Sequence, residues 1–164
     1  MKEAVMDTSV LAAFSGTGRI DLIFSVFPEI HIVPAVYREI VTDGQGWAAA
    51  VAAQSAIREG RFRIVEAMHC PVAPAFAHLG AGEREVLAWA LHRQIPALID
   101  EAPARKAAKQ AGVVEVIGSL GILAKAKGLR RIDQVGPLVV GMRANGIHFG
   151  DDLVKRFLDA MNEK

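Results

Sequence analysis

Short apolar runs rich in β-branched residues alternate along this chain with longer stretches whose apolar positions recur every three to four residues. The first pattern reads as buried strands and the second as helices packed against them. Strands are expected near Glu3–Met6, Ile30–Val33, Phe62–Val65, Ala97–Ile99 and Val113–Val116. Helices are expected near Ser9–Phe14, Arg19–Phe27, Pro34–Val41, Trp47–Glu59, Ala81–Arg93 and Pro103–Ala111, with Thr42–Gly46 as a loop. The alternation predicts an α/β domain whose sheet of four to five strands is mainly parallel and flanked by helices on both faces. The last third, about residues 119–162, is helical: Ser119–Lys127, Asp133–Ala144 and Asp151–Asn162. In the last of these, Leu153, Val154, Phe157, Leu158 and Met161 share one face, which is expected to pack on the body or on a second subunit.

Composition narrows the class. The chain has 164 residues, 52% of them hydrophobic, which suits one domain with a substantial core and excludes a disordered chain. No apolar run approaches the ~20 residues of a bilayer span, and no secretory h-region follows Lys2 and Glu3. One cysteine, Cys70, excludes an internal disulfide and points to a reducing, cytoplasmic setting. With a net charge of +1, an anionic partner has to be held by a local patch or by metal ions.

Four carboxylates break the apolar pattern. Asp7 ends the first strand, and Asp100 ends the run "IPALID" before Pro103 opens a helix. Both sit where open parallel sheets bind ligands, at the carboxyl ends of strands. On the helix of "LGAGEREVLAWAL", Glu83 falls among Val86, Leu87, Ala90 and Leu91, whereas Glu85 falls on the far side with Arg84, Ala88 and His92. Glu83 is therefore expected to face inward and Glu85 to be solvated. Glu39, in "VPAVYREI", shares a side with Ala35 and Val36. Taken singly, each acid has an ordinary reading: Asp7 and Asp100 as helix N-caps, Glu39 and Glu83 as members of ion pairs. Taken together, acids gathered without a basic partner are held most readily by a divalent cation, and all-oxygen ligands suit Mg²⁺ or Mn²⁺. Thr8 and Ser9 can hold the rotamers of such ligands.

The other reactive residues form no pattern. His31, His69, His78, His92 and His148 lack ligand spacing, and Cys70, Trp89 and Met142 read as ordinary packing. A phosphatase that begins with an acid after its first strand needs a second Asp two residues later, where this chain has Ser9.

The stretches "MDTSVL", "VPAVYREI", "LGAGEREVLAWAL" and "ALIDEAPARKAA" resemble the PIN-domain family, whose members include VapC-like toxins. "GSLGILAKAKGL" and "GIHFGDDLVKRFLDAMNE" resemble one prokaryotic branch of it, and the resemblance spans nearly the whole chain, 1–164. It implies a three-layer α/β/α fold and metal-dependent hydrolysis of RNA phosphodiester bonds, in many members as the toxin half of a toxin–antitoxin pair. The family's acids fall on Asp7, Glu39, Glu83 and Asp100, its hydroxyl on Ser9 or Thr8, and an optional further acid on Glu101. The implied cofactor is Mg²⁺ or Mn²⁺. The implied partners are RNA, a small antitoxin protein and a second copy of the chain, with no membrane. Arg105, Lys106 and Lys109 follow Asp100 on one helix and are candidates for phosphate contacts or for a solvated face. The competing class is a non-catalytic interaction module whose acids bind a partner protein or a structural ion.

Overall fold

The structure is a computed structural model describing residues 3–44 and 48–163. Five strands form one sheet: β1 (Glu3–Met6), β2 (Glu29–Ile32), β3 (Arg63–Ile64), β4 (Ala97–Leu98) and β5 (Val116–Ile117). Their order is β3-β2-β1-β4-β5, and every pairing is parallel. The chain thus winds outward from β1 to one edge, returns to lay β4 against the free side of β1, and winds outward again. The reversal between β1 and β4 is the topological switch point, where the crevice of an open parallel sheet lies.

Among the described residues, nine α-helices flank the sheet: α1 (Thr8–Gly16), α2 (Asp21–Val26), α3 (Pro34–Arg38), α4 (Ala48–Arg58), α5 (Ala81–Arg93), α6 (Ala102–Ala111), α7 (Ser119–Gly128), α8 (Gly136–Ala144) and α9 (Asp151–Ala160). One layer groups α1 with α4, α7 and α8, and α2 against α7; the other groups α5 with α3 and α6. Between them the central strands are sealed: Ala4, Val5, Met6, Ile30, Ile32, Ala97 and Leu98 have no exposed surface. A strand buried on both faces is apolar throughout rather than alternating, which explains the continuous runs in the sequence.

Several expected boundaries moved, each for a local reason. The strand expected at Val113–Val116 is Val116–Ile117. Val113 is still engaged by the preceding helix, its amide donating to the Ala108 carbonyl at 3.0 Å, so pairing starts three residues later. The helix expected at Pro34–Val41 is α3 followed by a π-helical turn over Glu39–Asp43. Such turns widen the backbone and concentrate at functional positions. The helix expected from Asp133 begins at Gly136, where the Glu163 carboxylate takes the amides of Val135 (2.8 Å) and Gly136 (2.7 Å). A 3₁₀ turn at Pro74–Phe76 was not foreseen. On α9, Val154 is buried and Phe157, Leu158 and Met161 pack on the core as expected. Leu153 does not join them and stays 47% exposed. Trp47 of the expected fourth helix, and Gln45 and Gly46 of the expected loop, lie outside the described residues.

Candidate active site

Asp7 is where β1 turns into α1. Its amide completes the ladder by donating to the Leu98 carbonyl at 2.9 Å, and its carboxylate caps α1. That carboxylate accepts from the Ser9 amide (3.1 Å) and the Ser9 hydroxyl (2.7 Å). Only 5% of the residue is exposed. Burial pushes its carboxyl from 3.8 up to about 6; the Ser9 bonds oppose this, and the charges of Glu101 and Glu39 add to it.

Glu39 opens the π-helical turn and accepts a short hydrogen bond from the Thr8 hydroxyl. Its other oxygen leans on the first turn of α5. A Cβ on Gly82 would lie 2.8 Å from Glu39 Oε1 and 3.3 Å from Asp7 Oδ1, so the two carboxylates meet across a position with no side chain. That close approach requires glycine here. Glu83 follows on the same turn, half-buried, and accepts the Gly80 amide at 2.8 Å in a capping arrangement. Glu101, the N-cap of α6, completes the rim. Asp7, Glu39, Glu83 and Glu101 line one cleft of about 390 Å³ together with Thr8 and Ser9. Among the described residues none of these four acids has a cation within ion-pair distance.

Asp100 stands differently from the expectation that put it in that cluster. Its backbone belongs to the cleft wall, its amide lying 3.5 Å from the Ser9 hydroxyl. Its carboxylate turns away and caps α7, accepting the Ser119 amide at 2.8 Å and the Ser119 hydroxyl at 2.6 Å. It lines a neighbouring cavity instead. Glu101, in the optional role, is the acid of this pair that reaches the cleft. The two adjacent carboxylates diverge because consecutive residues leaving a strand project to opposite sides.

Glu85 is not the solvated acid its helix position suggests. Its side chain reaches α3, accepting the Ala35 amide at 2.7 Å, with Arg38 3.9 Å away. The far side of α5 is covered by α3, as the fully packed Ala88 on that side shows. Arg105 donates to the Ile99 carbonyl at 3.2 Å beside Asp100, whereas Lys106 and Lys109 lie exposed along α6, outside the lining of the acid cleft.

At the opposite end of the sheet, Glu3, Glu29 and His31 bring potential ligand atoms within 4.8 Å of one another. The parallel register sets Glu3 beside Glu29, with His31 two residues further along β2 and on the same face. The chemistry around them is that of a closed network. The Trp89 indole N–H, a donor only, points at His31 Nδ1 at 3.1 Å. The Nε2 proton therefore faces Glu3 (3.2 Å) and Glu29 (3.6 Å). Arg93 lies 3.4 Å from Glu3, and Arg63 pairs with Glu29. A metal on Nε2 would force a proton onto Nδ1, against the Trp89 N–H. Burial holds the imidazole below its ordinary 6.5 in spite of the two acids.

Comparison with known proteins decides descent: the model of a PIN-domain family aligns with residues 3–163. The chain belongs to the PIN-domain family. No curated protein and no solved structure matches it. PIN domains are generally metal-dependent nucleases that bind divalent cations. The acid cleft suits such a cation: its donors are all oxygen, they converge across Gly82, and no cation among the described residues balances them. Among the described residues, no helix is long and apolar enough to cross a membrane.

Proposed function

We propose that this PIN domain is a metal-dependent ribonuclease that hydrolyses RNA phosphodiester bonds in the cleft at the β1–β4 switch point. The observation that carries this is the meeting of Asp7 and Glu39 across Gly82, with Glu83 and Glu101 at the rim and no cation among the described residues to balance them. Asp7, Glu39 and Glu83 would hold Mg²⁺ or Mn²⁺. Asp100 would join from the adjacent wall by leaving Ser119, and Glu101 is the further ligand. A bound divalent ion supplies Lewis-acid polarisation of the phosphate and lowers the pKa of water. The chain's own contribution is positional. Ser9 fixes the Asp7 carboxylate through two donors, and Thr8 fixes Glu39. Arg105, with Lys106 and Lys109 along α6, offers cations to flanking phosphates.

The resemblance of the C-terminal stretches to a prokaryotic branch of the family supports a role as the toxin of a toxin–antitoxin pair. Such a toxin would act in the cytoplasm as a homodimer restrained by a small antitoxin protein. A second reading, a non-catalytic interaction module, is favoured by the one observation that Asp100 is engaged by Ser119 rather than aimed into the cleft. Cleavage of single-stranded RNA in Mn²⁺ separates the two. Hydrolysis that stops in EDTA and falls by about 100-fold or more in Asp7→Asn is expected of the nuclease. Cleavage that survives both treatments would overturn the assignment, and no cleavage by the wild type would leave the module.

A further inference from the structure

The cavity into which Asp100 turns adjoins the acid cleft and shares Asp100 and Arg105 with the chemistry above. It encloses about 480 Å³, within the range of small-ligand sites, and it shares the end of β4 with the acid cleft. Its walls combine apolar side chains, Ile117, Ile147 and Leu153 among them, with the carboxylates of Asp100 and Glu115. The exposed ring of His148 stands at its edge. Two exposed cations border it: Lys125, paired with Glu115 at 3.4 Å, and Arg105, which donates to the Ile99 carbonyl beside Asp100. Leu153 is the one residue of the apolar face of α9 that does not pack on the core.

We propose that this cavity holds one unstacked nucleobase of the single-stranded RNA whose phosphate lies in the acid cleft, and so makes cleavage depend on base identity. The proposal rests on the nuclease reading for the position of that phosphate. A nucleobase has two apolar faces, a polar edge and a phosphate on either side. The apolar side chains answer the faces, the His148 ring offers a stacking surface, and Arg105 answers a phosphate, with Lys125 free to do so by leaving Glu115. The cavity is one concavity rather than an extended face. A stable interface between two protein chains buries roughly 800 Å² on each partner, far more than this opening presents.

The test uses the full chain in EDTA, so that binding is read apart from cleavage. Affinities for AMP, GMP, CMP and UMP are measured by calorimetry against ribose 5-phosphate, which lacks the base. At least one nucleotide is expected to bind about tenfold more tightly than the sugar phosphate, and His148→Ala and Leu153→Glu are expected to remove that difference. Both side chains are exposed, so both variants should fold, which melting curves check. Equal binding of all five compounds would overturn the proposal, as would a base preference untouched by both variants. Sedimentation of the same variants supplies another disproof: loss of self-association with base preference intact would make this face a contact between copies. A base preference without metal-dependent cleavage would sink the nuclease reading and leave the base site standing. Cleavage without a base preference would do the reverse.

Discussion

The two ends of the sheet hold carboxylates in similar density and treat them in opposite ways. At the amino end, Glu3 and Glu29 are answered by Arg93, Arg63 and the Nε2 proton of His31, whose ring is locked by Trp89. At the carboxyl end, Asp7 and Glu39 are answered, among the described residues, by the hydroxyls of Thr8 and Ser9 and the Ser9 amide alone. Proximity of ligand atoms therefore does not define a metal site. The tighter triad is the closed one, and the looser set is the one left with charge to be balanced from outside. Among the described residues, charge is balanced internally at the amino end and left unbalanced at the carboxyl end, a pattern that marks the latter as the candidate site.

The largest effect expected from this contrast is metal-dependent stability. Mn²⁺ at a hundredfold excess over its Kd should stabilise the wild type by about 2.7 kcal/mol. Glu39→Gln should lose most of that gain and Glu29→Gln should keep it. The opposite result in thermal melts would move the metal to the amino end.

Next comes Asp7→Asn in EDTA. The Asp7 carboxyl titrates near 6 in the fold against an ordinary 3.8, so the fold binds this proton more tightly than the unfolded chain does. Its contribution is most favourable below about pH 4, declines as pH rises to about 6, and stays unfavourable above that. Asn should therefore stabilise the metal-free protein by about 2–3 kcal/mol at pH 8 and by nothing near pH 4. The His31 slope has the opposite sign. Its folded pKa lies below 6.5, so its stabilisation is complete above that pH and is lost as pH falls. Denaturant midpoints across pH 4–8, taken as mutant-minus-wild-type differences, separate the two ends. A flat difference curve for Asp7→Asn would show the acid cleft to be as well satisfied as the other end.

Trp89→Phe should cost about 1–2 kcal/mol by leaving His31 Nδ1 without its donor. It should also reduce the acid-side loss, since the freed Nδ1 can then take a proton. An unchanged acid limb would break the closed-network account.

The smallest effect separates the two glutamates of α5. Glu85→Gln exchanges a charged acceptor for a neutral one at the amide of Ala35, near the start of α3, and should cost about 1 kcal/mol without metal. Glu83→Gln keeps an acceptor for the Gly80 amide while removing a charge from the cleft, so metal-free stability should stay within about 0.5 kcal/mol. Urea midpoints in EDTA decide it. Equal losses would mean that Glu83 is as structural as Glu85.

Much of this architecture was legible in the chain. Strands buried on both faces leave continuous apolar runs, and the acids that end them mark the crevice; Asp7 and Asp100 were placed at strand ends by that pattern alone. The direction of the Asp100 side chain was not legible, because its choice of Ser119 over the cleft is made by a helix terminus nineteen residues away. Glu85 was misread because a helical wheel shows one apolar arc and cannot show that α3 covers the other side. The amino-end network lay in the alternation of Glu29 and His31, visible only once β1 and β2 are set in register. The π-helical turn that begins at Glu39 left no mark in periodicity, since one extra residue in a turn does not disturb so short a pattern.

The strand order also has a consequence for timing. The first half of the chain carries Asp7 and Glu39 and can pair β1, β2 and β3 as it leaves the ribosome, but the side of β1 that takes β4 then stays vacant. Glu83, Glu101 and Asp100 arrive only with the second half: Glu83 comes when α5 packs on β1, and Glu101 and Asp100 when β4 docks on β1. The acid cleft is thereby incomplete for most of the chain's own synthesis. The sheet serves as a delay: the acid cleft closes only after more than 100 residues have been made and the two halves have met.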